Sequence, residues 1–230
     1  MLFDKIITLS LNPVADITLY VDGFIMGSEN TVTSELYDSA GKAVDVSRVL
    51  QSYELANTAL IVAGQENSKR YFERLDDEHV RTRVILTPGR MRENISIVTP
   101  DGTFTRLIRR SPKIRQRTID ELETALSEEI RPATLVVVAG AMPEGVTDDI
   151  FCEICMFIKE CGGTVALDTR SATLENIAKI QPWVIKPNFE ELCMLVGRPL
   201  ESLEQVKDAV KQLADLGVRH VLASMGAEGM

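Results

Sequence analysis

Short apolar runs alternate with amphipathic stretches along most of the chain. The runs are typical of strands and cover residues 5–11, 58–64, 81–87, 134–140, 164–168, 183–188 and 218–225. The stretches repeat apolar residues every three or four positions, which predicts helices at 44–54, 66–78, 118–130, 148–162, 171–180, 189–197 and 200–217. Strand–helix alternation of this kind is typical of an α/β fold, in which helices cover both faces of a mostly parallel sheet.

Two of the predicted helices carry local signals at their ends. Thr118 is a plausible N-cap because Glu121 follows three residues later, as in a capping box. Gly217 stands just after the last periodic residue of the final helix, where a glycine commonly takes the C′ position.

Two segments, 16–38 and 93–110, depart from this rhythm. Polar and apolar residues alternate in both, and Asp101-Gly102 in the second is a strong hairpin signal. We therefore expect antiparallel strands that form a small β-sheet projecting from a single domain over residues 1–230. This sheet would act as a lid or as a contact with a second subunit. Its predicted apolar face includes Ile17, Leu19, Val21, Ile95 and Ile97.

Composition and charge narrow the class of protein. The 230 residues are 45% hydrophobic and 26% charged, as in a soluble globular domain, and the net charge is −9. No run of eighteen apolar residues predicts a membrane helix. Asp4 and Lys5 interrupt the amino-terminal segment where a signal peptide would be apolar, so we expect a cytoplasmic protein. The acidic balance argues against nucleic acid as a partner.

The cysteines include a pair with C-x-x-C spacing, Cys152 and Cys155. This spacing occurs in redox and metal sites. Here it lies inside a predicted helix, where residues three apart simply share a face, and the chain has only two histidines to complete a zinc site. We expect reduced thiols with no catalytic role.

Polar residues follow several predicted strands at their carboxyl ends, where open parallel sheets bind ligands. Asp16 follows the first strand, and Asn188 and Glu191 follow Lys186 in the 183–188 strand. The last strand runs into Ser-Met-Gly-Ala-Glu-Gly. Each feature also has an ordinary explanation: Asp16 could be a turn residue, Asn188 an N-cap, and the glycine-rich end a plain turn.

Taken together, these stretches resemble the ribokinase-like, or PfkB, carbohydrate kinases over essentially the whole chain. The resemblance rests on TLSLNPVADIT, AGKAVDVSRVL, GRMRENISI, VVVAGAMPEGV, VIKPNFEELCMLVGRPL and GVRHVLASMGAEG, and it is closest to the branch of 1-phosphofructokinases and tagatose-6-phosphate kinases. It implies a three-layer α/β/α fold with a β-sheet lid. It also implies ATP- and Mg²⁺-dependent phosphoryl transfer to a phosphorylated ketohexose.

The resemblance implies a role for each matching residue in the substrate site. Asp16 would accept hydrogen bonds from sugar hydroxyls, and Gly41-Lys42 would let the backbone approach the sugar. Asp45 stands where the family usually has an asparagine that holds hydroxyls. Arg92 would bind the phosphate already on the sugar, and Asn94 lies in the same motif and is assigned to the same site.

On the nucleotide side, the resemblance implies that Asn188 and Glu191 orient Mg²⁺ through water and that Lys186 lies near the nucleotide phosphates. The beginning of the nucleotide site would be formed by Ser224, Gly226 and Gly229. The family's general base, the aspartate of a G-A-G-D motif, has no match in the chain and would lie beyond Met230. We therefore expect a C-terminally incomplete fold that lacks measurable kinase activity by itself.

The chain also departs from the family pattern around the sugar. Ala40 and Ala43 replace glycines, and Asp45 adds a negative charge beside an anionic ligand. Arg106 and Ile108 replace a glutamate and an asparagine that are common in the branch. These changes leave open an alternative function, that of a non-catalytic sugar-phosphate-binding relative or a truncated remnant.

Basic residues cluster after the second lid hairpin. Most are expected to be solvated, with one or two able to reach a sugar phosphate beside Arg92; they are Arg106, Arg109, Arg110, Lys113, Arg115 and Arg117. No aromatic residues interleave with them as a base-stacking platform would require. The partners we expect are a small-molecule sugar phosphate and a second copy of the chain, bound through the β-lid as a homodimer.

Overall fold

The computed structural model describes residues 2–230 and contains two sheets. The strands are β1 (Lys5–Ser10), β2 (Val14–Val21), β3 (Val32–Ala40), β4 (Asn57–Gly64), β5 (Thr82–Thr87), β6 (Arg92–Val98), β7 (Phe104–Ile108), β8 (Thr134–Ala139), β9 (Thr164–Asp168), β10 (Val184–Ile185) and β11 (His220–Val221). Seven form a parallel sheet in the order β11-β10-β9-β8-β1-β4-β5, and the other four form a small sheet in the order β3-β2-β6-β7. The predicted α/β body with a separate β-sheet is confirmed.

Helices cover the large sheet on both faces. They are α1 (Lys42–Ser52), α2 (Lys69–Asp77), α3 (Gln116–Glu129), α4 (Asp148–Glu160), α5 (Leu174–Ile180), α6 (Phe189–Val196) and α7 (Leu203–Asp215). The buried residues of α3 to α7 share one core with strand residues such as Val136 and Val138. Those of α1 and α2 form a second, smaller core with Ile61 on the opposite face of the sheet. The result is a three-layer α/β/α arrangement.

The small sheet consists of two hairpins joined along their inner strands. Each hairpin is antiparallel, as its sequence predicts, but β2 and β6 pair in parallel, with Asp16 opposite Asn94. The chain passes through the body between the two hairpins, so both inner strands leave it in the same direction. Because residues two apart share a face of a strand, Arg92, Asn94 and Asp16 lie on one face, here called the polar face of the lid. The opposite face, here called the apolar face, carries Ile17, Leu19, Ile95, Ile97 and Leu107.

The small sheet is anchored to the body where its strands begin and end. Ser39 Oγ donates a hydrogen bond to the carbonyl of Tyr71, and the Tyr71 hydroxyl donates one to the carbonyl of Ala40. Arg70 lies 4.0 Å from the centre of the Tyr37 ring. These contacts fix β3 against α2 and bring the end of β3 to the start of α1.

Some predicted boundaries are wrong. Thr118 is not an N-cap: α3 begins two residues earlier, after Arg115, and the Thr118 side chain is buried with its hydroxyl 3.1 Å from that of Thr87. Strand β10 is shorter than the predicted 183–188, since Pro187 has no N–H to continue the ladder. Strand β11 is shorter than 218–225 because its neighbour β10 is short, although Ser224 N still donates to Pro187 O.

The other predicted local features agree with the structure. Gly217 has a positive φ of 96° just after α7, as expected of a C′ glycine. Cys152 and Cys155 lie on α4 and are buried and unbridged, and burial raises the pKa of both thiols. Of the helices in residues 2–230, none combines the length and the apolar character that spanning a bilayer requires.

Candidate active site

A charged cluster lies at the carboxyl edge of the large sheet. Lys42, the first residue of α1, places its ammonium group 2.9 Å from Asp168 Oδ1 and 3.5 Å from Glu191 Oε1. Lys186 Nζ lies 3.5 Å from the other Asp168 oxygen. A single ammonium group thus contacts two carboxylates from different elements. The cluster brings together Lys42, which the sequence analysis assigns to the sugar, Lys186, which it assigns to the nucleotide, and Glu191, which it assigns to the metal.

Asn188 and Glu191 form a capping box at the start of α6. Asn188 Oδ1 accepts a hydrogen bond from the Glu191 N–H at 2.8 Å, and Glu191 Oε2 accepts one from the Asn188 N–H at 3.0 Å. The ordinary N-cap role of Asn188 is therefore real. It leaves Glu191 Oε1 free to face Lys42 and Arg170, which lie 3.5 and 3.4 Å away. The cap holds this carboxylate, which is almost fully buried, at the rim of the sheet.

Gly41 forms the junction between the small sheet and α1. Its φ of 140° is strained for residues with a side chain, and it is the N-cap of α1 without a side-chain hydrogen bond. No side chain of the N-cap residue therefore accepts a hydrogen bond from the first N–H groups of α1, which lie beside Lys42. A helix N-terminus in this position favours an anionic ligand.

Asp16 lies at the centre of a polar group on the lid. Asn94 Nδ2 donates to Asp16 Oδ1 at 2.7 Å, and Arg106 Nη2 lies 3.0 and 3.2 Å from the two carboxylate oxygens. The turn explanation for Asp16 is wrong, since the residue lies inside β2. Arg92 lies two residues before Asn94 on β6 and therefore shares this polar face.

Three buried polar atoms, on β6 and on the connection that leads into β2, have no hydrogen-bond partner within residues 2–230. They are Asn12 Oδ1, Arg92 Nε and Asn94 Oδ1. Buried polar groups in folded proteins are nearly always paired, because desolvation without a hydrogen bond is costly. Three such atoms at the base of the small sheet therefore indicate a surface built to bind a polar ligand.

Asp45 belongs to a third group, centred on Arg48. The Arg48 guanidinium lies 3.1 Å from Asp45, 3.2 Å from Asp38 on β3 and 2.8 Å from Glu78 after α2. Burial raises the pKa of Asp45, although the hydrogen bond from Arg48 opposes the shift. Asp38 and Asp16 raise it further, so Asp45 faces the acidic side of the lid. Arg48 therefore stabilises the ionised Asp45 carboxylate against the unfavourable effects of burial and of the two neighbouring aspartates.

The predicted nucleotide residues lie at the end of the sheet next to Asn188. Ser224 forms an isolated parallel bridge with Asn188, and Ser224 N donates to Pro187 O at 3.0 Å. Residues Gly226–Glu228 form a 3₁₀ turn, and Gly229 O accepts from Met225 N. Ser224 therefore lies beside Asn188, while the two glycines lie in the turn that follows.

Asp168 and Arg106 are two of the site residues to which the sequence analysis assigns no contact. Asp168 ends β9 and contacts both Lys42 and Lys186; its place at the carboxyl end of a predicted strand was a usable signal. Arg106 appears there as the replacement of a glutamate and as one of a basic group, without an assigned contact, and the strand register that aims it at Asp16 is not readable from the sequence. A cavity of about 320 Å³ connects two of the groups and is lined by Lys42, Asp45, Val46, Val49, Leu50 and Asp168.

Comparison with known proteins agrees with this geometry. Residues 9–230 match the pfkB family of carbohydrate kinases. The chain is 30% identical over 230 residues to 1-phosphofructokinase of Haemophilus influenzae and covers 72% of that protein. It is 27% identical to tagatose-6-phosphate kinase of Staphylococcus epidermidis, of which it covers 73%. The matches take in 98% and 97% of the present chain, respectively.

A solved structure shares the fold. Phosphofructokinase-2 from Escherichia coli, in complex with fructose-6-phosphate, superposes with a TM-score of 0.87 at 22% identity, over 98% of this chain and 75% of that one. The family match extends over nearly all of the chain, from β1 to the final glycine turn. The chain belongs to the pfkB family of carbohydrate kinases.

Proposed function

We propose that this chain provides the sugar-phosphate site and the metal side of an ATP-dependent kinase for a phosphorylated ketohexose. The observation that carries the proposal is the set of buried, unpartnered atoms on Asn12, Arg92 and Asn94, the last of which contacts Asp16. They include an arginine donor and two amide acceptors, which suit a phosphate and sugar hydroxyls. The family membership and the names of the two relatives support the same substrate class.

The substrate would bind between the polar face of the lid and the start of α1. Arg92 would hold the phosphate, while Asn94 and Asp16 would bind hydroxyl groups. Gly41 lets the backbone approach closely, and the open N–H groups of α1 lie beside Lys42. Phosphoryl transfer depends mainly on positioning and charge neutralisation, which these residues can provide.

The charged cluster fits a magnesium-bound nucleotide. Within residues 2–230, no group of three or more histidine, cysteine, aspartate or glutamate side chains could hold a metal directly. Asp168 and Glu191 nevertheless both lie within reach of the same ammonium group of Lys42. They would hold Mg²⁺ through water, with Asn188 beside them. When bound, Mg²⁺ would neutralise charge on the ATP phosphates.

The remaining nucleotide contacts would come from the end of the sheet. Lys186, directly after β10, would contact the phosphates. Ser224, Gly226 and Gly229 would line the first part of the nucleotide pocket, next to Asn188. No acidic residue in 1–230 lies in a G-A-G-D motif, so we place the general base outside this stretch of sequence. General-base loss costs about 10²–10⁴ in rate.

A second candidate function is sugar-phosphate binding without turnover. It is favoured by Asp45, an anionic residue held by Arg48 at a position where the family has a neutral amide. Both functions require the same binding site, so binding and turnover must be measured separately.

The first experiment measures binding of fructose 1-phosphate, fructose 6-phosphate and tagatose 6-phosphate by calorimetry. We expect one of them to bind and Arg92→Gln to weaken its binding at least about 10-fold, since a charge-assisted contact is lost. Arg90→Gln is the matched control: Arg90 is exposed, pairs with Glu93 and should change affinity by less than about 2-fold. Absence of binding by the wild-type chain would contradict the proposal.

Turnover is then assayed as ADP release from ATP and Mg²⁺, for the 230-residue chain and for a version extended with a relative's G-A-G-D segment. Activity in the extended protein alone supports the kinase function and the proposed place of the base. Sugar-phosphate binding with no turnover in either version supports the second candidate. Ordinary kinase rates in the 230-residue chain would show that the base lies within it.

We also propose that the protein is a homodimer joined through the apolar face of the lid. Leu107 is 52% exposed on this face, and Ile17, Leu19, Ile95 and Ile97 are partly exposed around it. A small sheet whose apolar face is partly exposed has little stability of its own, and a second copy offers the matching surface.

A further inference from the structure

The carboxylate assigned to sugar hydroxyls is already occupied by a residue of the protein itself. Arg106 Nη2 contacts both oxygens of Asp16, at 3.0 and 3.2 Å, and Asn94 Nδ2 contacts one of them at 2.7 Å. Three contacts satisfy much of the accepting capacity of one carboxylate. A sugar hydroxyl that is to bind Asp16 must therefore displace Arg106.

Arg106 is placed where it can move. It lies on β7, the edge strand of the small sheet, whose residues are all exposed. Its side chain is 41% exposed and that of Asp16 is 34% exposed. Ion pairs between partly exposed partners are weak, because water solvates the separated charges nearly as well. Breaking this pair is consequently feasible during ligand binding.

A second guanidinium on the same face attracts the ligand that could break the pair. Arg92 carries a buried donor atom, Nε, without a partner in residues 2–230. A phosphate bound there would bring a doubly charged anion onto the face that Arg106 occupies. Arginine binds phosphate through parallel, charge-assisted hydrogen bonds, and a dianion competes well against one carboxylate.

We propose that Arg106 determines specificity by exchanging partners. It covers the Asp16 carboxylate until a phosphate held by Arg92 draws its guanidinium away, and Asp16 then accepts hydrogen bonds from the sugar hydroxyls. The proposal rests on the proposed sugar-phosphate function and explains how the site would reject sugars that lack a phosphate. An unphosphorylated sugar must displace Arg106 without offering it a new partner.

The exchange makes two opposite predictions for one substitution. In Arg106→Gln, fructose 6-phosphate should bind about 10-fold more weakly because a phosphate contact is lost. Fructose itself should bind several-fold more tightly, since Asp16 is no longer covered. An arginine that only binds phosphate would produce the first effect without the second. The two affinities are measured by calorimetry on the full 230-residue chain.

Arg109→Gln is the matched control. Arg109 follows β7, is 51% exposed and pairs at 2.6 Å with Glu93, whose position on β6 faces away from Asp16. It removes the same charge from the same hairpin, and both affinities should stay within about 2-fold of the wild type. A similar response in both variants would mean that general charge, and not the pair with Asp16, sets the specificity.

A measurement on the unaltered protein tests the exchange without any mutation. Inorganic phosphate should increase the affinity for fructose by about 5-fold or more, because it draws Arg106 away from Asp16 and the two ligands are coupled. In Arg106→Gln this coupling should disappear. Competition between phosphate and fructose, or no coupling in the wild type, would overturn the proposal.

The outcomes separate this proposal from the function on which it rests. If wild-type protein binds none of the three sugar phosphates, the proposed function fails and the exchange fails with it. If the sugar phosphate binds but fructose binds Arg106→Gln no more tightly than the wild type, the exchange alone is wrong. A thermal unfolding midpoint of the variant close to that of the wild type confirms that it folds.

Discussion

At the scale of single residues, Asp45 is the clearest departure from what a sugar-phosphate site needs. Partial burial and the nearby Asp38 and Asp16 raise its pKa, so the ionised carboxylate destabilises the folded protein at neutral pH, but only slightly, because the side chain is 57% exposed and water screens it. The cost is present above the folded pKa and disappears as the pH falls below the ordinary value of 3.8. Its partner Arg48 offsets only part of this cost.

Replacing Asp45 with the family's asparagine should therefore improve both stability and binding. We expect Asp45→Asn to be slightly more stable than the wild type at pH 7, with the difference shrinking as the pH falls towards about 4 and absent below it. Affinity for the sugar phosphate should rise about 3- to 10-fold, since a repulsion of about 1 kcal/mol is removed. Chemical denaturation at several pH values and calorimetry measure the two effects.

Glu78→Gln is the control for the lost contact with Arg48. Glu78 follows the C-terminal end of α2, and its carboxylate lies 2.8 Å from Arg48 Nε. Its loss therefore disturbs the same guanidinium without changing the charge beside the ligand. Its affinity should stay within about 2-fold of the wild type. An equal gain of affinity in both variants would show that Arg48, and not the Asp45 charge, governs binding.

Strand alternation and the order of the motifs predict only part of the candidate site from the sequence. Alternation along β6 places Arg92 and Asn94 on one face, but only the register of β2 with β6 shows that Asp16 shares it. Asn188 shows why a motif residue can have two explanations that are both correct, since capping α6 is what aims Glu191 at the site. The contact between Arg106 and Asp16 depends on long side chains from separate hairpins, which no local pattern encodes.

At the scale of elements, Glu129 at the end of α3 joins β1 to β5. Hydrogen bonds from Lys5 and Arg83 lower the pKa of its carboxyl group. The stabilisation is therefore present above the ordinary value of 4.5 and is lost as the pH falls through the lowered folded value. Glu129→Gln should reduce the free energy of unfolding by about 1–2 kcal/mol at pH 7, and by progressively less in acid.

Denaturant titrations at pH 7 and pH 3 test this expectation. Glu128→Gln is the matched control, because Glu128 also pairs with Arg83 but is 58% exposed. It should cost less than about 0.5 kcal/mol. A deficit in Glu129→Gln that is as large at pH 3 as at pH 7 would mean that packing, and not the charge, is responsible.

Gly64, at the end of β4, lets two elements meet closely where the lid begins. A Cβ atom there would lie 2.3 Å from Met91 N and 2.4 Å from the Arg90 carbonyl carbon. Both are backbone atoms, so Gly64→Ala must displace the start of β6, which carries Arg92. We expect a loss of about 1–3 kcal/mol in the free energy of unfolding.

The same displacement should weaken sugar-phosphate binding, which a purely global loss of stability would not do under folding conditions. Gly102→Asn provides the comparison, because Gly102 has a positive φ of 83°, which asparagine tolerates, and no atom within 4 Å of an added Cβ. Unchanged binding by a folded Gly64→Ala protein would show that β6 does not depend on this contact.

Elements were easier to predict than their ends and their pairing. The apolar run of β8 and the periodicity of α4 are long enough to fix their type. The parallel pairing of β2 with β6 was missed, because each hairpin looks antiparallel and the connection between them runs through the body. Thr118 was misplaced because its burial against Thr87 is a tertiary contact that outweighs a capping signal.

At the scale of the whole molecule, the two sheets differ in how they are covered. The large sheet buries its apolar residues under helices on both faces, in two separate cores. The polar face of the small sheet contacts α1, because Asp38 pairs with Arg48. On its apolar face, Leu107 is about half exposed. Polar and apolar alternation predicted these two faces, but only the strand register shows which residues face together.

The apolar face should hold two copies of the chain together. We expect sedimentation velocity to show a dimer at micromolar concentration, and Ile97→Asp to convert it to a monomer, because a buried, unpaired carboxylate at the centre of this face is costly. Leu36→Asp is the control: Leu36 is 60% exposed on β3, but its register opposite Thr18 places it on the polar face. It should remain dimeric. A wild-type monomer, or a dimer that survives Ile97→Asp, would show that the apolar face of the lid is not the dimer interface.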